Sequence, residues 1–126
     1  MSVKEILHTE LAPAAVGPYS QAVVSGGMVY TAGQIALDPE TGALVGGNVV
    51  EQARQVMSNL AAVLDAAGSG FEKAVKTTCF LADMDDFAEF NAVYGEYFTG
   101  KPARSCVAVK TLPKGALCEV EVIAEA

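Results

Sequence analysis

Apolar and polar positions recur along this chain with two different periods, and the switches between them mark out its elements. "SQAVVS" and "MVYTAGQI" are β-rich runs parted by Gly26-Gly27, and two glycines between such runs predict a tight hairpin turn with positive φ. Ahead of them "VKEIL" (3–7) reads as a short strand, and the prolines and glycine of "APAAVGPY" force an irregular segment. "DPETG" makes a turn. Asn48 with Glu51 three residues on resembles a capping box; Ala53, Val56, Met57, Leu60, Val63, Leu64 and Ala67 then repeat at helical spacing up to Gly68. "AVKTTCFLA" (74–82) alternates as a strand, with Val75, Thr77, Cys79 and Leu81 on one face. Asp83, Asp85 or Asp86 can cap a second helix with the buried stripe Phe87, Phe90, Tyr94, Tyr97 and Phe98, closing at Gly100 before Pro102. "ARSCVAVK", the turn "LPKG" and "ALCEVEVIA" predict a second hairpin.

The order β-β-β-α-β-α-β-β predicts an α+β fold, a mixed sheet with two helices packed on one face. The strands carry apolar residues in both alternation phases, so the pattern predicts that the uncovered face meets another copy or a partner. A length of 126 residues suits one domain, and no repeat or linker divides it. Composition strengthens the picture: 52% hydrophobic and 18% charged residues exclude disorder.

Fifteen acidic against eight basic side chains give a formal charge of −7, which repels phosphate backbones and anionic lipid where no basic cluster offsets it. Glu5 and Glu10 interrupt any signal-peptide core and no apolar stretch approaches a membrane span, so a cytoplasmic protein is expected. Cys79, Cys106 and Cys118 are odd in number, lie in apolar runs and show no zinc spacing, which predicts reduced structural thiols and no metal site. His8 stands alone.

Arg104 and Cys106 share a parity and leave the same face of their strand; Glu119 and Glu121 do the same on theirs. Two readings follow. Arg104 either pairs with a strand carboxylate or lies on a solvated face, or it belongs to a small-acid site, where a planar guanidinium grips a carboxylate and a glutamate positions or deprotonates water. Gly33 interrupts a strand run, marking a bulge or a close approach to the backbone, and Tyr19 in the irregular segment reads as a half-buried aromatic with a bonded hydroxyl.

"APAAVGPYSQAV", "TAGQIALDPETG", "VKTTCFLADMDDFAEFNAVYGEYF", "PARSCVAV" and "LPKGALCEVEVIA", in that order over residues 10 to 124, together resemble the reactive intermediate deaminase (RidA/YjgF) family. The resemblance implies a chorismate-mutase-like fold assembled as a homotrimer with ligand clefts between subunits. In the 2-iminobutanoate/2-iminopropanoate deaminase branch it implies cofactor-independent hydrolysis of 2-imino acids to 2-oxo acids and ammonia. Carried over, Arg104, Glu119 and Tyr19 match the catalytic positions, and Gly33, Cys106 and Asn91 join Arg104 in binding substrate. Arg104 would anchor the carboxylate and Glu119 would hold water beside the C=N carbon. Cys106 would contribute main-chain groups more than its sulfur, since no histidine in its motif activates it. Lys101 stands where an aromatic commonly precedes the proline, and Ala36 where proline is frequent; both positions are expected near the cleft rim. A non-catalytic small-carboxylate-binding regulatory protein is the alternative, and turnover discriminates the two. Ribonuclease activity, attributed to some relatives, runs against the acidic balance.

Overall fold

The computed structural model describes residues 3–126, leaving Met1 and Ser2 outside the described residues. Eight elements follow in order: β1 (Glu5–Leu7), β2 (Ala22–Ser25), β3 (Met28–Thr31), α1 (Val49–Ala66), β4 (Ala74–Leu81), α2 (Phe87–Tyr97), β5 (Ala103–Ala108) and β6 (Cys118–Glu125). The six strands form one mixed sheet in the order β1-β2-β3-β6-β4-β5.

The first hairpin forms as its glycines require. Gly26 and Gly27 take φ of 60° and 78°, both in the left-handed region, and Ser25 pairs with Met28 across them. Asn48 caps α1 by accepting from the Glu51 amide at 2.9 Å, while the Glu51 carboxylate returns to the Gly47 amide at 2.7 Å, one residue outside the usual capping-box position. At its far end the amides of Gly68 (φ 74°) and Ser69 bond to the Asp65 and Leu64 carbonyls, which stops the helix. Val56, Met57, Leu60, Val63 and Leu64 are buried from α1, and each such side chain contributes about 1.5–3 kcal/mol. They pack with Cys118, Val120, Val122 and Ala124 of β6, and with Cys79 and Leu81 of β4.

The predicted second hairpin does not exist. β5 pairs with β4 in parallel, Thr77 opposite Arg104 and Cys79 opposite Cys106, as strands joined by a crossover helix do. β6 instead runs antiparallel to both β3 and β4, filling the gap that the β3–α1–β4 crossover leaves between two strands of like direction. "LPKG" therefore redirects the chain rather than closing a hairpin: Pro113–Gly115 form a single 3-10 turn with Lys114 at φ 57°.

Two smaller departures concern faces. A register shift between Ala74 and Lys76 turns Val75 out to solvent, so it does not share the core face with Thr77, Cys79 and Leu81. On α2 the buried residues are Phe90, Val93 and Tyr94, with Phe98 behind them, whereas Phe87 and Tyr97 are only partly covered. Ile6, Tyr30 and Val107 remain exposed on the sheet face away from the helices. Among the described residues no helix is long and apolar enough to cross a membrane.

Candidate functional site

The sheet brings the candidate residues together in two groups. One lies at its β5 edge. Phe87, Asn91 and Tyr94 recur along α2 at intervals of four and three, so they form one stripe, and Arg104 lies across it. The guanidinium carbon stands 4.6 Å from the Tyr94 ring centroid and 5.5 Å from that of Phe87, and Nη1 donates to Asn91 Oδ1 at 2.6 Å. Tyr94 is fixed in turn, its hydroxyl sharing a buried 2.8 Å hydrogen bond with Thr77 Oγ1. Burial raises the Tyr94 pKa, with the Thr77 bond and Arg104 opposing.

Among the described residues Arg104 has no carboxylate within ion-pair distance, so the reading in which it pairs with a strand carboxylate does not hold. Cys106 stands on the same face, half-buried, its thiol pushed up by burial and held down by Arg104. Cys79 and Cys118 are fully buried, their pKa values raised to about 12 by desolvation. All three cysteines are free.

The second group surrounds a cleft of about 660 Å³ on the opposite face of the sheet. Tyr19, Gly33 and Glu119 line it, with Val16, Ile35 and Lys114 among the neighbours. Glu119 lies between Cys118 and Val120, which both point into the core, so strand alternation turns its carboxylate outward. Burial, then the charge of Glu121, pushes its carboxyl above the ordinary range. Gly33 sits past the end of β3 and is not bulged within it; the next residue, Gln34, bridges Val120, bringing the Gly33 backbone against the Glu119 side chain. Tyr19 is more open than expected at 56% exposure, and its hydroxyl accepts from the Val16 amide at 3.4 Å.

Buried amides hold the walls of this cleft. Gln21 receives the Thr9 amide at 2.7 Å and donates to the carbonyls of Thr9, Ala12 and Pro13. From α1, Asn59 donates to the Ile35 and Leu37 carbonyls, and Gln52 donates to the Gly46 carbonyl while accepting from the Leu117 amide. Ala36, expected near the rim, is wholly buried, and its neighbours Ile35 and Leu37 face the cleft instead.

Sequence reasoning did not find Tyr94 and Phe87 as the bed of Arg104, having read both as core. Nor did it find Gln21, Gln52, Asn59 or Lys114. Gln52 and Asn59 carried a signal, since polar residues on the apolar stripe of a helix need buried partners.

Comparison with known proteins places these features in a wider set. Residues 9–126 match the family described as Endoribonuclease L-PSP. A RutC family protein of Synechocystis sp. is 56% identical over 123 residues, covering 95% of each chain. A mouse protein named 2-iminobutanoate/2-iminopropanoate deaminase is 49% identical over 123 residues, covering 97% of this chain and 91% of that one. The crystal structure of the yjgF gene product from E. coli superimposes with a TM-score of 0.90 at 46% identity, covering 96% of this chain and 98% of that one.

Proposed function

The chain belongs to the Endoribonuclease L-PSP (RidA/YjgF) family, and on that premise we propose that it hydrolyses small 2-imino acids to 2-oxo acids and ammonia without a cofactor. The observation that carries the reading is Arg104: a guanidinium laid on two aromatic rings, with one hydrogen bond to Asn91 and no carboxylate partner among the described residues. Most of its N–H groups are free to hold a substrate carboxylate through two parallel bonds. The imine carbon next to that carboxylate would then lie a fixed distance from the anchor. Glu119, whose raised proton affinity suits proton exchange with water nearer neutrality, would take the proton from the attacking water as its oxygen bonds to carbon. Starting from the protonated imine, that attack would leave a neutral amino alcohol; Glu119 would return its proton to the nitrogen and take the hydroxyl proton as the C–N bond breaks, releasing the 2-oxo acid and ammonia and passing that last proton to water. Tyr19 and the backbone at Gly33 would shape the pocket around this carbon, and Cys106 would line the carboxylate end.

Arg104 and Glu119 project from opposite faces of the same sheet, so one copy alone cannot bring them to one substrate. The proposal therefore includes a homotrimer in which each cleft takes Arg104, Asn91 and Cys106 from one subunit, and Tyr19, Gly33 and Glu119 from its neighbour. The exposed Ile6, Tyr30 and Val107 would be covered by that assembly. A net charge of −7 favours this small-molecule reading over binding of RNA. A threonine dehydratase generating 2-iminobutanoate in the presence of semicarbazide supplies the test. Faster loss of trapped imine with this protein is expected, and binding of 2-oxobutanoate with no acceleration would leave a carboxylate-binding regulator instead.

A further inference from the structure

Arg104 is held by an aromatic residue whose own position is fixed by the strand neighbouring β5. Thr77 stands directly opposite Arg104 in the parallel ladder, its hydroxyl is bonded to the Tyr94 hydroxyl at 2.8 Å, and the Tyr94 ring returns beneath the guanidinium at 4.6 Å. Arg104, Thr77 and Tyr94 thus form a closed circuit of one backbone pairing, one buried hydrogen bond and one cation–π contact. Phe87 and Asn91 extend the same helical stripe, and Asn91 takes one N–H of the guanidinium.

We infer that Tyr94, pinned by Thr77, is a positioning residue: its ring holds the Arg104 guanidinium in the one orientation that presents a free donor edge to a carboxylate. This rests on the carboxylate-binding reading of Arg104 and adds the device that prepares it. An arginine on an exposed edge strand otherwise samples many rotamers, and ordering them on binding weakens affinity. A ring fixed at its far end lies flat under the planar cation and restricts that freedom before the ligand arrives. The phenol does not face the reacting carbon: its hydroxyl is turned into the core, bonded to Thr77. Its effect therefore falls on ligand affinity and reaches the chemistry only through Arg104.

The test titrates 2-oxobutanoate, followed by NMR, into the full-length protein and its Tyr94→Leu, Tyr94→Phe and Arg104→Ala variants, with imine hydrolysis measured alongside. Tyr94→Leu is expected to weaken 2-oxobutanoate and raise KM about tenfold, the scale of one partly desolvated cation–π contact. The same variant should change kcat less than about twofold, because a carboxylate held equally in ground and transition states affects KM alone. Tyr94→Phe, which keeps the ring but loses the bond to Thr77, should fall between the parent and Tyr94→Leu. Unchanged affinity in Tyr94→Leu, parent-like affinity in Tyr94→Phe, or equal losses in the two variants overturns the inference. Should Tyr94→Leu fail to fold, Tyr94→Met fills the space without a π face, and unchanged affinity there has the same force. Arg104→Ala separates the two levels. If it still binds 2-oxobutanoate normally, the carboxylate seat itself is wrong; if it loses binding while Tyr94→Leu keeps it, only the positioning role falls.

Discussion

Gly33 lies so close to Glu119 that a Cβ on residue 33 would overlap the carboxylate. The clash is with the far end of a flexible side chain, and Gly33 does not adopt positive φ, so the backbone accepts alanine and the glutamate is what moves. Gly33→Ala is expected to fold, with a melting temperature near that of the parent, while kcat falls at least about tenfold as the proposed base is displaced from its geometry. A Gly33→Ala variant with full kcat would mean that the Glu119 carboxylate has no role in the chemistry.

At Arg104, lysine is the informative replacement because it keeps the charge and removes both the donor fork and the flat surface that rests on Tyr94. Charge-assisted hydrogen bonds contribute roughly 1.5–3 kcal/mol each, so loss of one of two should lower kcat/KM about tenfold to a hundredfold. Steady-state kinetics on trapped imine measures it. Unchanged kcat/KM would remove the bidentate carboxylate role.

What was legible in the sequence was local. Gly26-Gly27, the Asn48/Glu51 cap and the stripe of α1 each rest on interactions within a few residues, and each formed there, the Glu51 carboxylate landing on the Gly47 amide instead of that of Asn48. The place of β6 was not, because strand order depends on which neighbours leave a gap, and "LPKG" has the composition of a hairpin turn without being one. The faces of Arg104 with Cys106, and of Glu119 with Glu121, followed from period-two alternation. That these two pairs lie on opposite sides of the sheet did not, since it requires the relation between β5 and β6 that was misread. The same gap hid Tyr94: an aromatic at a core position reads as packing until the strand beside it is known to carry an arginine.

The raised proton affinity of Glu119 has a definite sign in activity. If its carboxylate accepts the proton of water, kcat/KM should fall as pH drops through a value above the ordinary carboxylate range, because the base is then protonated. Burial is the larger cause and the charge of Glu121 the smaller, so Glu121→Gln should shift the acid limb modestly to lower pH. Stability follows the same linkage: with the folded value above the unfolded one, the protonated group's contribution is full below the unfolded value and lost as pH rises through the folded one. Glu119→Gln should flatten that slope in melts across the weakly acid range. A pH–rate profile whose acid limb is untouched by Glu121→Gln would count against Glu119 as the titrating base.

Cys106 is the half-exposed thiol of the three, and burial keeps it protonated at neutral pH, so it has little nucleophilic character. Cys106→Ser should retain assembly and most of any activity. Iodoacetamide on the folded protein should label Cys106 slowly and leave the buried Cys79 and Cys118 untouched, as peptide mass spectrometry can read. Activity lost to background in a folded, substrate-binding Cys106→Ser variant would assign the sulfur a chemical role.

The separation of Arg104 and Glu119 onto opposite faces of one sheet makes the shared cleft testable by complementation. Arg104→Ala and Glu119→Gln should each be nearly inactive in pure form at imine concentrations well below the parent KM. In a closed three-fold ring assembled at random from equal amounts of the two, a cleft is complete when the subunit giving the arginine side carries only the Glu119 change and its neighbour carries only the Arg104 change. About a quarter of the clefts meet that condition, so co-expression should restore about a quarter of the parent activity from two inactive chains. Native mass spectrometry of the same sample reports the copy number and the mixed species. Mixed trimers with no recovered activity would place both groups in the cleft of a single subunit, against the direction in which the strands point them, and a stable monomer with full turnover would dismiss the shared cleft altogether.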